Sequence, residues 1–207
     1  MENFININKV ETITTKTALN KTLKGADITN LNLKNAYVTD VKLVSKKVHA
    51  ISDLQKLNIS VQNAEISGRE FSRHKNPDGT VGGFVEKTAT VAETAYIGPK
   101  ALVLDKAQVL DSAQILDKAQ ISGDARVSDD AKVYDRAKVY DYASISEKTQ
   151  VYGKAQVFGK ALVEGNAQIF GDALVFEHAE VRGGTRISDN VHRTRLDLIG
   201  AKRMLRK

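Results

Sequence analysis

Residues 101–142 read ALVLDK, AQVLDS, AQILDK, AQISGD, ARVSDD, AKVYDR, AKVYDY: seven hexads with nothing between them. The frame holds from Ala89 to Asn190, seventeen hexads in all, and one unit further back to Gly83 and Val85. The first position is Ala in fifteen hexads and Thr in two, and the third is Val or Ile in every one. The fifth is Gly, Asp or Glu throughout, apart from Pro99. Side chains alternate along a strand, so positions one and three share a face. A small Ala and a β-branched Val or Ile therefore point inward together. Positions five and six, rich in Gly, Asp, Lys and Asn, suit a tight turn. Three such strands and three turns close one triangular coil of three hexads, and coils stack about 4.8 Å apart with parallel hydrogen bonds. A helix is excluded, because Val or Ile every six residues wanders around a helix and makes no face. The spacing thus predicts an all-β chain whose core is a single-stranded parallel β-helix, in which no repeat is stable alone.

The pattern Ala-x-Val/Ile-x-Gly/Asp-x over residues 89–190 resembles the left-handed β-helix hexapeptide superfamily, and the resemblance implies a left-handed coil. The entry segment Asp78–Lys87, DGTVGGFVEK, with TATVAETAYIG after it, resembles hexapeptide-repeat proteins common in bacteriophages and prophages. Many of those have no assigned activity. This likeness implies a mobile-element accessory protein that binds a host macromolecular complex and inhibits or organises it, a host-defence inhibitor among the options.

Hexapeptide enzymes set the alternatives. Resemblance to the acyltransferases implies a catalytic histidine beside an inserted loop, yet no loop interrupts residues 89–190. Resemblance to the γ-class carbonic anhydrases implies three histidines converging on zinc. The chain has His49, His74, His178 and His192, and only His178 lies within the repeats, at a turn position. A metal site needs three or four ligands in one place. Asp111 and Asp129 share a corner, as do Asp117 and Asp135, and turn formation in solvent accounts for them better than a cation site does. The expectation is no catalytic residue, no metal and no cofactor, with acyl transfer as the alternative activity. Cysteine is absent, which removes disulfides and thiol chemistry. No signal-peptide core or membrane helix appears, so a cytoplasmic protein without membrane contact is expected.

The fourth position follows the inward Val or Ile and points outward. One face carries Ala92, Leu110, Ser128, Ser146, Glu164 and Arg182 there, mostly polar. Another carries Gly98, Leu116, Tyr134, Tyr152, Phe170 and Ser188, and the third carries Leu104, Ser122, Tyr140, Phe158 and Phe176. Aromatics one coil apart stack into ladders. An outward apolar stripe on two faces and not the third marks an interface. Leu116, Tyr134, Tyr152, Phe170, Tyr140, Phe158 and Phe176 are the expected contact residues, toward a protein partner or toward further copies in a dimer or trimer.

Outside the hexads the sequence divides into residues 1–77, an expected β-rich cap, and residues 191–207, an expected C-terminal cap. Ala26-Asp27-Ile28, Leu31-Asn32-Leu33, Ala36-Tyr37-Val38 and Val41-Lys42-Leu43 resemble a pentapeptide repeat, echoed at Ile59–Val61 and Ala64–Ile66. Thr15–Lys24 before Gly25 reads as a short helix, and Arg69–Gly79 as a polar loop with a Pro-Asp-Gly turn. Charge is uneven: residues 1–88 carry a net +4, residues 89–190 a net −3, and residues 191–207 a net +5. In the tail, Arg193, Arg195, Lys202, Arg203, Arg206 and Lys207 are candidate nucleic-acid contacts, giving weak, salt-sensitive RNA or DNA binding. A nucleic-acid- or ribonucleoprotein-binding module using these basic ends is therefore the second functional expectation.

Overall fold

The computed structural model describes residues 62–66 and 68–188, together with Phe4–Asn6, Lys21–Lys24, Asp40–Val44, Ile51 and Leu54–Lys56. Two compact units are present, Met1–Arg73 and His74–Lys207.

In the first unit, β1 (Phe4–Asn6), β2 (Lys21–Lys24), β3 (Asp40–Val44) and β4 (Asn63–Ile66) pair in parallel. Partners lie 18 residues apart between β1 and β2 (Phe4 with Thr22), 20 between β2 and β3 (Lys21 with Val41), and 23 between β3 and β4 (Asp40 with Asn63). No constant repeat governs this stack. Val41–Leu43 and Ala64–Ile66 of the pentapeptide-like pattern lie on β3 and β4, while Ala26–Val38 and Ile59–Val61 lie outside the described residues. Lys21–Lys24 is a strand, not the end of a helix. Thr22 and Leu23 pair with β1 on one side and β3 on the other, and that pairing overrides the helical preference of Lys and Leu. Arg69–Lys75 is also a strand, β5, and not a loop. It returns antiparallel along β4, with Phe71 buried between exposed Glu70 and Ser72. One buried apolar residue in a polar alternation is enough when the partner strand is adjacent.

The second unit follows the hexads. After β6 (Val81–Glu86), seventeen two-residue strands run from β7 (Thr90–Val91) to β23 (Arg186–Ile187), and strands three places apart pair in parallel, from β6 with β9 to β20 with β23. The offset stays at 18 residues, from Phe84 with Leu102 to Gln168 with Arg186. The result is about six stacked coils with three faces. Face 1 holds β6 and the strands at 102–103, 120–121, 138–139, 156–157 and 174–175. Face 2 holds 90–91, 108–109, 126–127, 144–145, 162–163 and 180–181. Face 3 holds 96–97, 114–115, 132–133, 150–151, 168–169 and 186–187. Positions one and three fill the core as expected: Ala107, Val109, Ala137 and Val139 are fully buried. Thr149 and Thr185 replace Ala there, and each hydroxyl donates to a backbone carbonyl, of Val163 and Arg182 respectively. Gly83 replaces Ala at the start of the first coil, where a Cβ would lie 2.2 Å from the Ala101 carbonyl oxygen.

The turns are built from one repeated backbone geometry. The position-one N–H donates back to the position-four carbonyl, as from Ala107 to Leu104 at 3.1 Å. Position five is left-handed at every corner from Asp105 to Gly183, with φ of 52–60° at Asp and Glu and 65–86° at Gly. The Asp side chains there are not merely solvated. Asp105, Asp111, Asp117, Asp129, Asp135 and Asp141 each accept, through Oδ2, the backbone N–H of the residue one coil on. These carboxylates are structural staples along the corners, which leaves them less suited to the weak cation binding that their spacing allowed.

Candidate functional site

The outward fourth positions form two columns. On face 3, Tyr134 and Tyr152 stack with centroids 4.9 Å apart, and Tyr152 and Phe170 at 5.3 Å. On face 1, Tyr140 and Phe158 stack at 4.8 Å, and Phe158 and Phe176 at 5.0 Å. Interplanar angles are 3–11°, so the rings lie like rungs at the coil spacing. Leu116 continues the face 3 column by register, one coil before Tyr134. All seven expected contact residues are half-buried. The two columns stand on different faces, and a corner separates them.

Stacking changes what the rings can do. Tyr152 and Phe158 each have a neighbour on both faces, and the Arg186 guanidinium covers Phe170 at 5.4 Å. For these three rings, what remains for a partner is ring edge. Base recognition by single strands needs a ring face, so these columns are poorly made for it. The hydroxyls are tied as well: Tyr134 donates to Gln150 Oε1 at 3.3 Å and Tyr140 to Gln156 Oε1 at 3.2 Å. Burial, first, pushes both phenols above their ordinary pKa, with Tyr152 and Asp135 adding to it at Tyr134 and Asp141 at Tyr140. Face 2 has ion pairs in place of aromatics: Arg182 reaches Glu164 at 2.7 Å and Glu180 at 3.3 Å. Leu104, grouped with the face 1 column, is buried, so the open part of that column begins further along.

A residue that the fourth-position pattern passes over stands out. Tyr142 occupies position six of its hexad, on a turn, and is 64% exposed, the one large hydrophobic so exposed among the described residues. With Asp141, Gly159, Lys160, Glu177 and His178 it lines a shallow groove along the corner beside the Tyr140 column. The sequence signal was available: in no other hexad is position six aromatic. A second groove, on the corner after face 3, is lined by Lys100, Asp117, Lys118, Asp135, Arg136, Gly153 and Lys154.

Among the described residues, no group of three or more His, Asp or Glu side chains is arranged to hold a metal. His178 is exposed in the first groove. His74 is tied instead to the coil, with Nε2 at 3.1 Å from the Ala95 carbonyl. His49 and His192 lie outside the described residues, as do the candidate nucleic-acid contacts Arg193, Arg195, Lys202, Arg203, Arg206 and Lys207. No helix among the described residues is long and apolar enough to cross a membrane.

The fold and its stacked turns define a β-solenoid repeat protein. Residues 119–135, nearly one full coil, match the family model described as the YdcK Beta solenoid repeat. No curated protein and no solved structure matches the chain.

Proposed function

We propose that the chain is a non-catalytic scaffold that binds a protein partner along face 1 and its following corner. One observation carries this reading: the aromatic column Tyr140–Phe158–Phe176 runs beside the exposed Tyr142, with Lys160 and His178 stacked on the same corner. A rigid aromatic at low entropic cost, rimmed by charged and polar groups, is the composition of a protein-binding hot spot. Position six of that corner reads Tyr142, Lys160 and His178 on successive coils, so a partner meets three different side chains at fixed spacing. No inserted loop interrupts the hexads and His178 is the one histidine within them, which favours a binding role over acyl transfer. The role in a mobile element, acting on a host complex, is carried by the sequence resemblance alone.

The test uses affinity-tagged full-length protein, with nuclease present throughout so that bridging nucleic acid is removed. Wild type retains a defined protein partner in stoichiometric amount. Tyr142→Ala with Phe158→Glu loses it while keeping the β-rich circular dichroism of the parent. Retention of the partner by that folded double variant, or acyl transfer from acyl-coenzyme A lost on His178→Ala, contradicts the proposal.

A further inference from the structure

Face 3 is bordered by corners of opposite charge. The corner before it carries Glu93, Asp111, Asp129, Asp130 and Glu147 against one base, Lys148. The corner after it carries Lys100, Lys118, Arg136 and Lys154 against Asp117, Asp135 and Asp172. Asp117 and Asp135 each accept a backbone N–H of the next coil, as Asp111 and Asp129 do on the corner before face 3, and Asp172 lies 3.5 Å from Lys154, so five acids against one base on one corner face four bases against three acids on the other. Lys100, Lys118, Arg136 and Lys154 are all exposed. Acids and bases are also matched in height: Glu93 with Lys100, Asp111 with Lys118, Asp129 with Arg136 and Glu147 with Lys154 each fall within one hexad step of the same coil. The corner after face 1 shows no such sign, since Lys87, Lys106 and Lys160 are interspersed there with Asp105, Asp124, Asp141 and Glu177.

We infer that face 3 is a self-association surface, on which a second copy of this chain docks face to face with its coil axis parallel. The inference rests on reading the chain as an interaction scaffold and names the partner for one face. Its argument is symmetry. A two-fold axis along the coil direction exchanges left and right borders and keeps height, so each acidic corner meets the partner's basic corner, coil for coil. A two-fold axis across the coils sets acid against acid and base against base, which is repulsive. Between the borders, the Leu116–Tyr134–Tyr152–Phe170 column of one copy lies over the second-position row of the other, Gln114, Lys132, Gln150 and Gln168. The ring edges left open by the internal stacking thereby lose water. Such an isologous contact is the commonest closed symmetry. A patch about 20 Å across and about 27 Å along the coils buries roughly 1,000 Å² in total, the low end for a specific interface. The dimer is therefore concentration-dependent and, because its borders are exposed ion pairs, weakened by salt.

The experiment is sedimentation equilibrium of the full chain over a concentration series. Wild type forms a reversible dimer. Lys118→Glu with Arg136→Glu and Lys154→Glu weakens it at least 10-fold, and so does Glu93→Lys with Asp130→Lys and Glu147→Lys. An equimolar mixture of the two variants regains the dimer, since every border is then complementary again. Orientation is read by mixing Ser112→Cys with Lys118→Cys chains, the parent being cysteine-free. The mixed disulfide dominates if the copies are parallel. A monomer at every concentration, a trimer, a mixture that stays monomeric, or preferred pairing of Cys at 112 with its own kind overturns the inference. A wild-type chain that stays monomeric while partner capture at Tyr142 is intact overturns this inference alone and leaves the scaffold reading standing.

Discussion

At the fifth position of a hexad, the backbone limits the choice of residue before any contact does. A left-handed φ costs an ordinary L-residue roughly 1 kcal/mol, while Gly escapes that cost and Asp or Asn reduces it by local hydrogen bonding. Asp117, at φ 52°, also accepts the Asp135 N–H at 3.2 Å. Asp117→Ala loses both advantages and is expected to lower stability by about 1–2 kcal/mol. Asp117→Gly removes the backbone strain but also the acceptor, and Asp117→Asn keeps both features, so the expected order of stability is Asn, Gly, Ala. Urea denaturation of the three variants checks the order; equal stability of Ala and Asn would remove the left-handed argument. The tyrosines give a pH test. Burial raises the Tyr134 and Tyr140 pKa values in the folded chain, so folding favours the protonated phenol. Their contribution is fully present below the ordinary tyrosine pKa near 10 and is lost as pH rises through the folded values. Ultraviolet titration of Tyr134→Phe and Tyr140→Phe is expected to remove late-ionising phenols and leave the early ones. Removal of early-ionising groups instead would contradict the half-buried placement.

At the scale of the element, each two-residue strand is held by the coils on either side, and the first coil needs a substitute on its open edge. Asn76 supplies one. Its side-chain amide accepts the Ile97 N–H at 2.8 Å and donates to the Ile97 carbonyl at 3.2 Å, as a neighbouring strand would, and the side chain is almost fully buried. The turn after it is fixed by Asp78, which accepts from both the N–H and the hydroxyl of Thr80, and these bonds hold its carboxyl below the ordinary value. Asn76→Ala leaves two backbone groups of Ile97 unpaired and is expected to cost about 2–4 kcal/mol. Amide hydrogen exchange should show the loss first at Tyr96–Ile97. No change in exchange there would show that the amide is dispensable. This device also marks the limit of sequence reading. Ala137 and Val139 were legible because their role repeats in every hexad, and a repeated role shows as a period. Asn76, β5 and Tyr142 each occur once, and a residue used once leaves no period. The aromatic columns were legible in place but not in state: alternation puts Tyr152 outward, whereas its half-burial comes from Tyr134 and Phe170, residues one coil away.

Across the coiled unit, stability is a sum over coils and the contacts between them. Central coils have neighbours on both sides, so Ala119–Gly153 is expected to exchange amide hydrogens more slowly than Ala173–Ile187, the last described coil. Uniform protection along the coils would instead indicate one all-or-none unit. The faces then divide the work: face 2 is tied up in its own ion pairs, face 3 is bordered by opposite charges, and face 1 ends at the corner that carries Tyr142. The functional claim is that this corner, and no assembled catalytic centre, is where the molecule acts. Amine-reactive cross-linking of the captured complex, read by mass spectrometry, tests it most directly, because lysines stand on every corner and on faces 1 and 3. The account predicts that cross-links to the partner centre on Lys160 and fall away toward Lys148 on the corner before face 3. Cross-links spread evenly over Lys118, Lys148 and Lys160, or concentrated at Lys148, would contradict it.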